Sequence, residues 1–379
     1  MGLWPALGPA VAGHGLERVT LALPEVPVEA PVWAHLMAVA SHERITGLLM
    51  SAILDGALPT TSEQAEEARL AHRASMVAAL ALEAALFGAA ALLDEAGIDH
   101  RVLKGTGVAH LDYPDPALRS FGDVDLLVRS SQFDDAVGAL VAVGHRRKFP
   151  EPRPGFDRRF GKGSCLVSPG GHEIDLHRTL AMGPYGVRID VDDLWRRSST
   201  FELAGRPFRA LGPEERFVHA CFHAALGDKT PRLASLRDVA QMQLARPLDL
   251  DLTRRLSSSW RADAVVARAV RMAGDVLGLE MDGPLARWAV GFSPDRRDRR
   301  ALAVYAGATP TYAAKSFAAV RAIPGIRDKV EFVVTLALPD RRYLEQRNER
   351  PIRRWLRGLA QVFRARRPPG AGSRGRRAR

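Results

Sequence analysis

RVLKGTGVAHLDYPDPALRSFGDVDLLVR, residues 101–129, together with the later HEIDLH, residues 172–177, decides how this chain folds. A short apolar run leads into Lys104-Gly105-Thr106-Gly107, a Pro-containing turn follows, and Asp123-Val124-Asp125-Leu126-Leu127-Val128 has the composition of a buried strand. Side chains on a strand alternate faces. Val124, Leu126 and Val128 therefore point into one core while Asp123 and Asp125 share the opposite face. In residues 173–177 the same alternation sends Ile174 and Leu176 inward and leaves Glu173, Asp175 and His177 together. If the two strands pair, Asp123, Asp125 and Asp175 converge on one site.

Carboxylates held that closely repel and raise one another's pKa, so the site requires a neutralising cation. Oxygen ligands favour Mg2+ or Mn2+ over zinc. Mg2+ retains part of its water shell and is held by one or two carboxylates plus substrate phosphates, which makes a nucleoside triphosphate (NTP) the natural substrate.

These residues resemble the nucleotidyltransferases of the DNA polymerase β superfamily, in particular a bacterial group within it. The resemblance rests on Leu103-Lys104-Gly105, Tyr113-Pro114, Arg119, the Asp123-to-Val128 run and Ile174-Asp175-Leu176-His177, in that order. It covers residues 100–180 and continues more weakly through FVHACFHA at 217–224, Leu236-Arg237-Asp238 and LPDRRYLEQR at 338–347. The chain departs from the superfamily in having Gly105-Thr106 where Gly-Gly or Gly-Ser is usual; the hydroxyl is kept and a methyl is added. The spacing from Gly105 to Asp123 is also longer than in the better-known members.

The resemblance implies an α+β fold, with a small mixed polymerase β-like sheet flanked by N-terminal and C-terminal helical regions. It implies a metal-dependent transfer of a nucleoside monophosphate from an NTP to a hydroxyl acceptor with release of pyrophosphate. Asp123 and Asp125 would bind the metal, Asp175 would hold the catalytic ion and help deprotonate the hydroxyl, and Lys104, Gly105, Thr106 and Arg119 would contact the nucleotide. Glycines in such a turn let the backbone approach phosphate closely. The acceptor stays open among RNA, protein, peptide and small molecule. A catalytically inactive nucleotide-binding or partner-binding module on the same fold is the alternative.

Helical periodicity before residue 97 and after residue 206 divides the chain into a helical region at 1–97, a core at 98–205, a helical region at 206–363 and an Arg-rich tail at 364–379. Residues 1–30 read as an irregular lead-in, residues 33–55 as one helical stretch, and Pro59-Thr60-Thr61-Ser62-Glu63 as a turn and N-cap before a long Ala-rich helix that runs to about Ala96. Residues 98–103 form the first strand and Lys104–Gly107 the loop after it. Residues 164–168 and 173–177 form a hairpin across Pro169-Gly170-Gly171.

Other residues carry two readings. The loop at 146–163 holds seven basic and two acidic residues, so Arg158, Arg159 or Lys162 either contacts substrate or belongs to a solvated surface. His177 either orients Asp175 or meets substrate, or is simply satisfied at a strand end. His219 and His223 lie four apart on one helix face without the general-base Glu of a zinc protease, which favours packing over metal binding.

The net charge of +11 is concentrated: residues 351–379 hold ten arginines and no acidic residue. That tail is suited to RNA phosphates, to an anionic membrane surface, or to solubilising the chain. Two cysteines make no disulfide framework, and the N-terminus shows no early basic region or clean cleavage site, so a cytoplasmic location is expected. Met76–Leu93 is apolar but mostly alanine, with Glu83 at its centre, and suits a buried helix better than a transmembrane segment.

Overall fold

The computed structural model describes residues 4–227, 230–245, 247–306 and 312–347. The amphipathic stretch expected at 353–363 and the Arg-rich tail lie outside the described residues. The N-terminal helices are α1 (Trp4–Gly13), α2 (Ala30–His42), α3 (Thr46–Leu54) and α4 (Ser62–Glu95). The α+β core follows as β1 (His100–Val102), α5 (Lys104–Asp112), β2 (Val124–Val128), α6 (Phe133–Ala142), β3 (Arg146–Arg147), α7 (Phe156–Arg159), β4 (Gly163–Val167), β5 (Glu173–His177), α8 (Pro184–Arg188), α9 (Asp193–Arg196), β6 (Ser198–Leu203) and β7 (Arg206–Leu211). The remainder is helical: α10 (Pro213–Leu226), α11 (Leu233–Ala245), α12 (Leu250–Ser259), α13 (Asp263–Leu277), α14 (Pro284–Gly291), α15 (Arg296–Ala306), α16 (Tyr312–Ala322), α17 (Ile326–Ala337) and α18 (Arg341–Gln346).

The seven strands form one mixed sheet in the order β3-β4-β5-β2-β1-β7-β6. β2 and β5 are parallel neighbours with Asp125 opposite Asp175, so the expected pairing of the two acidic strands occurs in register. Val124, Leu126, Val128, Ile174 and Leu176 all turn to one face and are buried against α4 and α6, as alternation requires. The opposite face, carrying Asp125 and Leu127, meets a larger cluster built jointly by α1–α3 and α10–α13.

Several elements differ from the sequence expectation. Residues 4–13 are a helix, not an irregular lead-in: Leu7, Val11 and Ala12 are buried against the C-terminal helices, and that burial outweighs a weak propensity and Pro9 within the helix. The stretch at 33–55 is two helices, broken at Arg44, which has a left-handed backbone (φ 60°). Lys104–Gly107 is the first turn of α5, kinked where Gly105 adopts φ 26° and ψ −109°. The hairpin β6–β7 extends the sheet to Leu211, turning at Ala204 (φ 46°) and Gly205 (φ 79°). Two consecutive positive φ values are the geometry a tight hairpin needs, and Gly205 between two alternating runs was its signal.

α4 opens with the Thr61–Gln64 capping box. Among the described residues it alone is long and apolar enough, by length and composition, to cross a membrane. It is buried along one face only: Leu82, Leu86, Ala89, Ala90 and Leu93 cover the sheet, while Leu70, Val77 and Leu80 are exposed.

Candidate active site

Asp125 is the second residue of β2 and is almost wholly buried, at 3% exposure. Its Oδ1 accepts hydrogen bonds from Lys104 Nζ at 2.8 Å and pairs with His177 Nε2 at 2.7 Å. Burial opposes its ionisation, yet the charge of Lys104 and the bond to His177 prevail, holding the carboxyl well below the usual range. Like charges packed together do require a neutralising cation, and here Lys104 supplies one from the chain itself. Lys104 stays charged for the reciprocal reason: burial lowers its pKa, and Asp125 and Asp123 together raise it further.

Asp125, Asp175 and His177 each offer a ligand atom, and the three atoms lie within 4.8 Å of one another. Asp125 Oδ2 and His177 Nδ1 are buried and have no hydrogen-bond partner. Two orphaned donors of electron pairs beside a second carboxylate, that of Asp175, fit a divalent cation, with oxygen donors suited to Mg2+ and the imidazole extending the match to Mn2+.

Asp123, expected alongside Asp125, is not in this cluster of three. It occupies a bend one residue ahead of β2, where period-two alternation no longer sets side-chain direction. It remains close enough that burial, and next the charge of Asp125, raises its pKa. Lys162, at the approach to β4, has no ion-pair partner within 4 Å among the described residues; burial and the neighbouring Lys104 lower its pKa. Of the loop's basic residues Lys162 feels all three aspartates, while Lys148, paired with Glu173, feels Asp175. Arg158 sits at 3.4 Å from Asp134, and Arg159 is tied to Asp328 at 2.7 Å and to Glu331.

Gly105 and Thr106 are buried at the start of α5, directly after Lys104. A Cβ at Gly105 would meet Phe121 at 3.3 Å and the Asp123 carbonyl at 3.5 Å, and its positive φ also favours glycine. Arg119 points elsewhere: it is buried, and its Nε and Nη2 donate to the two oxygens of Asp238 at 3.1 and 2.7 Å. Tyr113 donates to the same carboxylate at 2.9 Å. His219 and His223 line a small cavity beside Lys104 and Asp238, and burial, followed by the charge of Lys104, keeps both well below the ordinary histidine value. They join no metal-ligating cluster among the described residues.

Sequence reading passed over Arg44, a lone arginine between two helices with no motif around it. Its guanidinium covers Gly122, where a Cβ would come within 2.5 Å of Nη2. The charge it feels most strongly is Asp123, and Asp125 also contributes.

A mixed sheet with a carboxylate–imidazole cluster on two adjacent parallel strands, next to a glycine-kinked helix start, defines an α+β protein built around one polar centre. The chain belongs to the uncharacterised nucleotidyltransferase family, whose model matches residues 29–278. That span takes in α2 and α3 and ends just past α13, so it includes Arg44 and Asp238 as well as the acidic strands. A search of curated proteins finds no match. Among solved structures the chain is similar to an antigenic nucleotidyltransferase-like protein from Paracoccidioides brasiliensis, at 17% identity over 54% of this chain and 92% of that one, with a TM-score of 0.32. It is also similar to the antibiotic-resistance factor ANT(2'')-Ia, at 15% identity over 49% of this chain and 95% of that one, with a TM-score of 0.34. Both likenesses are too distant to assign a role to any residue.

Proposed function

We propose that this protein moves a nucleoside monophosphate from an NTP to a hydroxyl acceptor, releasing pyrophosphate. The observation that carries the proposal is the convergence of Asp125, Asp175 and His177 on paired central strands, with two of their ligand atoms orphaned. Asp125, Asp175 and His177 would hold Mg2+ or Mn2+, with Asp123 as a further carboxylate close by. When bound, that ion supplies charge neutralisation for the phosphates and lowers the pKa of a bound hydroxyl.

The chain's own residues do the rest. The kinked start of α5 presents backbone N–H groups from Gly105 and Thr106 to phosphate, favoured by the helix dipole. Lys104 and Lys162 add positive charge beside the transferring phosphoryl group. Asp175 takes the acceptor's proton; the acceptor oxygen bonds to the α-phosphorus as the bond to the α–β bridging oxygen breaks, and that oxygen keeps the electron pair. Arg119 does not contact nucleotide in this scheme; with Asp238 it holds the turn ahead of β2.

The Lys104–Asp125 pair favours the second reading, a nucleotide-binding module without chemistry, because a buried carboxylate already paired has less need of metal. The acceptor stays open among RNA, protein, peptide and small molecule. A cytoplasmic location is part of the proposal, supported by two free cysteines and the need for NTP. Contact of the Arg-rich tail with RNA or an anionic membrane is likewise a proposal.

The test is Mg2+-dependent incorporation from each α-labelled NTP into extract of the source cells, comparing wild type with Asp125→Asn/Asp175→Asn. Label with wild type, reduced about a hundredfold or more in the variant, is the expected result. A folded wild-type protein that transfers no label from any NTP sinks the transfer reading.

A further inference from the structure

Arg44 sits in a backbone conformation that a non-glycine residue rarely adopts. Its neighbours keep it there. The carboxylate of Glu43 accepts from the Leu233 amide at 2.8 Å and the Glu43 carbonyl accepts from Ala234, which fastens the turn to the start of α11. On the other side Ile45 is fully buried, and Thr46 pairs with Ser120 at 3.2 Å. A Cβ on Gly47 would fall 2.2 Å from the Ala117 carbonyl, so α3 lies directly against the turn that precedes Asp123. A strained residue held from both sides in this way marks a position where side-chain direction matters.

The direction is toward the acidic site. The guanidinium lies over Gly122, the one residue between Phe121 and Asp123, and any side chain there would displace it. Among the described residues it forms no hydrogen bond and no ion pair within 4 Å, although it is partly buried. Asp123 is the charge that acts on it most strongly, with Arg232 and then Arg119 opposing that attraction. A partly buried guanidinium whose hydrogen-bond donors meet no partner among the described residues is unfavourable in the protein alone, and a ligand with several negative oxygens relieves it.

Building on the nucleotidyl-transfer reading, we infer that Arg44 binds the triphosphate of the incoming NTP, its planar fork taking two phosphate oxygens on the Asp123 side of the site. Lysine supplies the charge but not the fork, so the position is specific for arginine. The three chain cations Lys104, Lys162 and Arg44 then enclose the polyphosphate, each from a different element.

The test measures binding of inorganic tripolyphosphate, with AMP as a control, to the full chain in the presence of Mg2+ by calorimetry. Arg44→Gly is the informative variant, because glycine accepts the left-handed backbone and removes only the side chain. Tripolyphosphate affinity is expected to fall by about tenfold or more, with AMP affinity unchanged, the Tm equal or higher, and Arg44→Lys intermediate. Equal weakening of tripolyphosphate and AMP would mean that Arg44 merely props Asp123, and it overturns the inference. Unchanged tripolyphosphate binding overturns it too, leaving nucleotidyl transfer standing. A wild-type protein that binds no tripolyphosphate removes the parent reading and this inference together.

Discussion

Asp238 is a buried carboxylate that ties the helical half to the turn ahead of β2. Arg119 reaches it through two guanidinium nitrogens and Tyr113 through its hydroxyl, all out of contact with solvent. Truncating one member of a buried pair leaves the other uncompensated, so Asp238→Ala is expected to cost about 3–5 kcal/mol, read as a lowered urea midpoint, with Asp238→Asn costing less. An unchanged midpoint would mean that water reaches Arg119. His177 supports the site differently. It positions Asp125 through Nε2 and leaves Nδ1 orphaned, so His177→Ala is expected to weaken Mn2+ binding by about 10–100-fold, measured by electron paramagnetic resonance. Retained affinity would remove His177 from the metal site.

At the scale of elements, the short helix α7 shows how the loop bearing Lys162 is held. Phe156 and Phe160 pack on Phe332 of α17, with ring centroids 5.7 and 5.4 Å away, and Arg159 adds its pairs to Asp328 and Glu331. Within α7, burial pushes the Asp157 carboxyl up to about 6 despite its 2.7 Å pair with Arg147. A carboxyl whose pKa is raised by folding stabilises the fold when protonated; that contribution is full below its ordinary value and is lost as pH rises through about 6. Asp157→Asn is therefore expected to gain Tm relative to wild type between about pH 4 and about pH 7, and a difference that is flat across that range counts against the assignment. The elements legible in the sequence were those whose pattern is local. β2, β4, β5 and the capped start of α4 follow from alternation and turn residues alone, whereas the pairing of β2 with β5 entered only as a condition and is fixed by the sheet. What stayed hidden was set by distant contacts: α1 is a helix because of partners far along the chain, and Arg44 acquires a role only when α3 is pressed onto residues 117–122. Asp123 fell between the two cases, since the strand begins one residue after it.

For the whole molecule, the decisive fact is that the large core is shared. Leu7, Trp33 and Leu49 belong to the same cluster as Leu103 and Tyr113 at the two ends of α5, Leu127 of β2, and Phe217, Val239 and Val266 from the later helices. A fragment covering residues 98–205 would expose that face of its sheet, and it would also lack β7, whose Ala210 pairs with Val102. It is expected to show no cooperative thermal transition, whereas a sharp calorimetric transition would establish the core as an independent unit. The same sharing bears on how the protein is made. Val19 bridges to Leu279, and Thr20 bonds to the Gly278 carbonyl across 258 positions. At ordinary rates of synthesis the first helices therefore wait roughly 10–50 s for the surfaces they pack on. Throughout that interval the apolar sides of α1–α3 are open to whatever binds nascent chains, and a ribosome that pauses before residue 280 holds a chain unable to close its larger core.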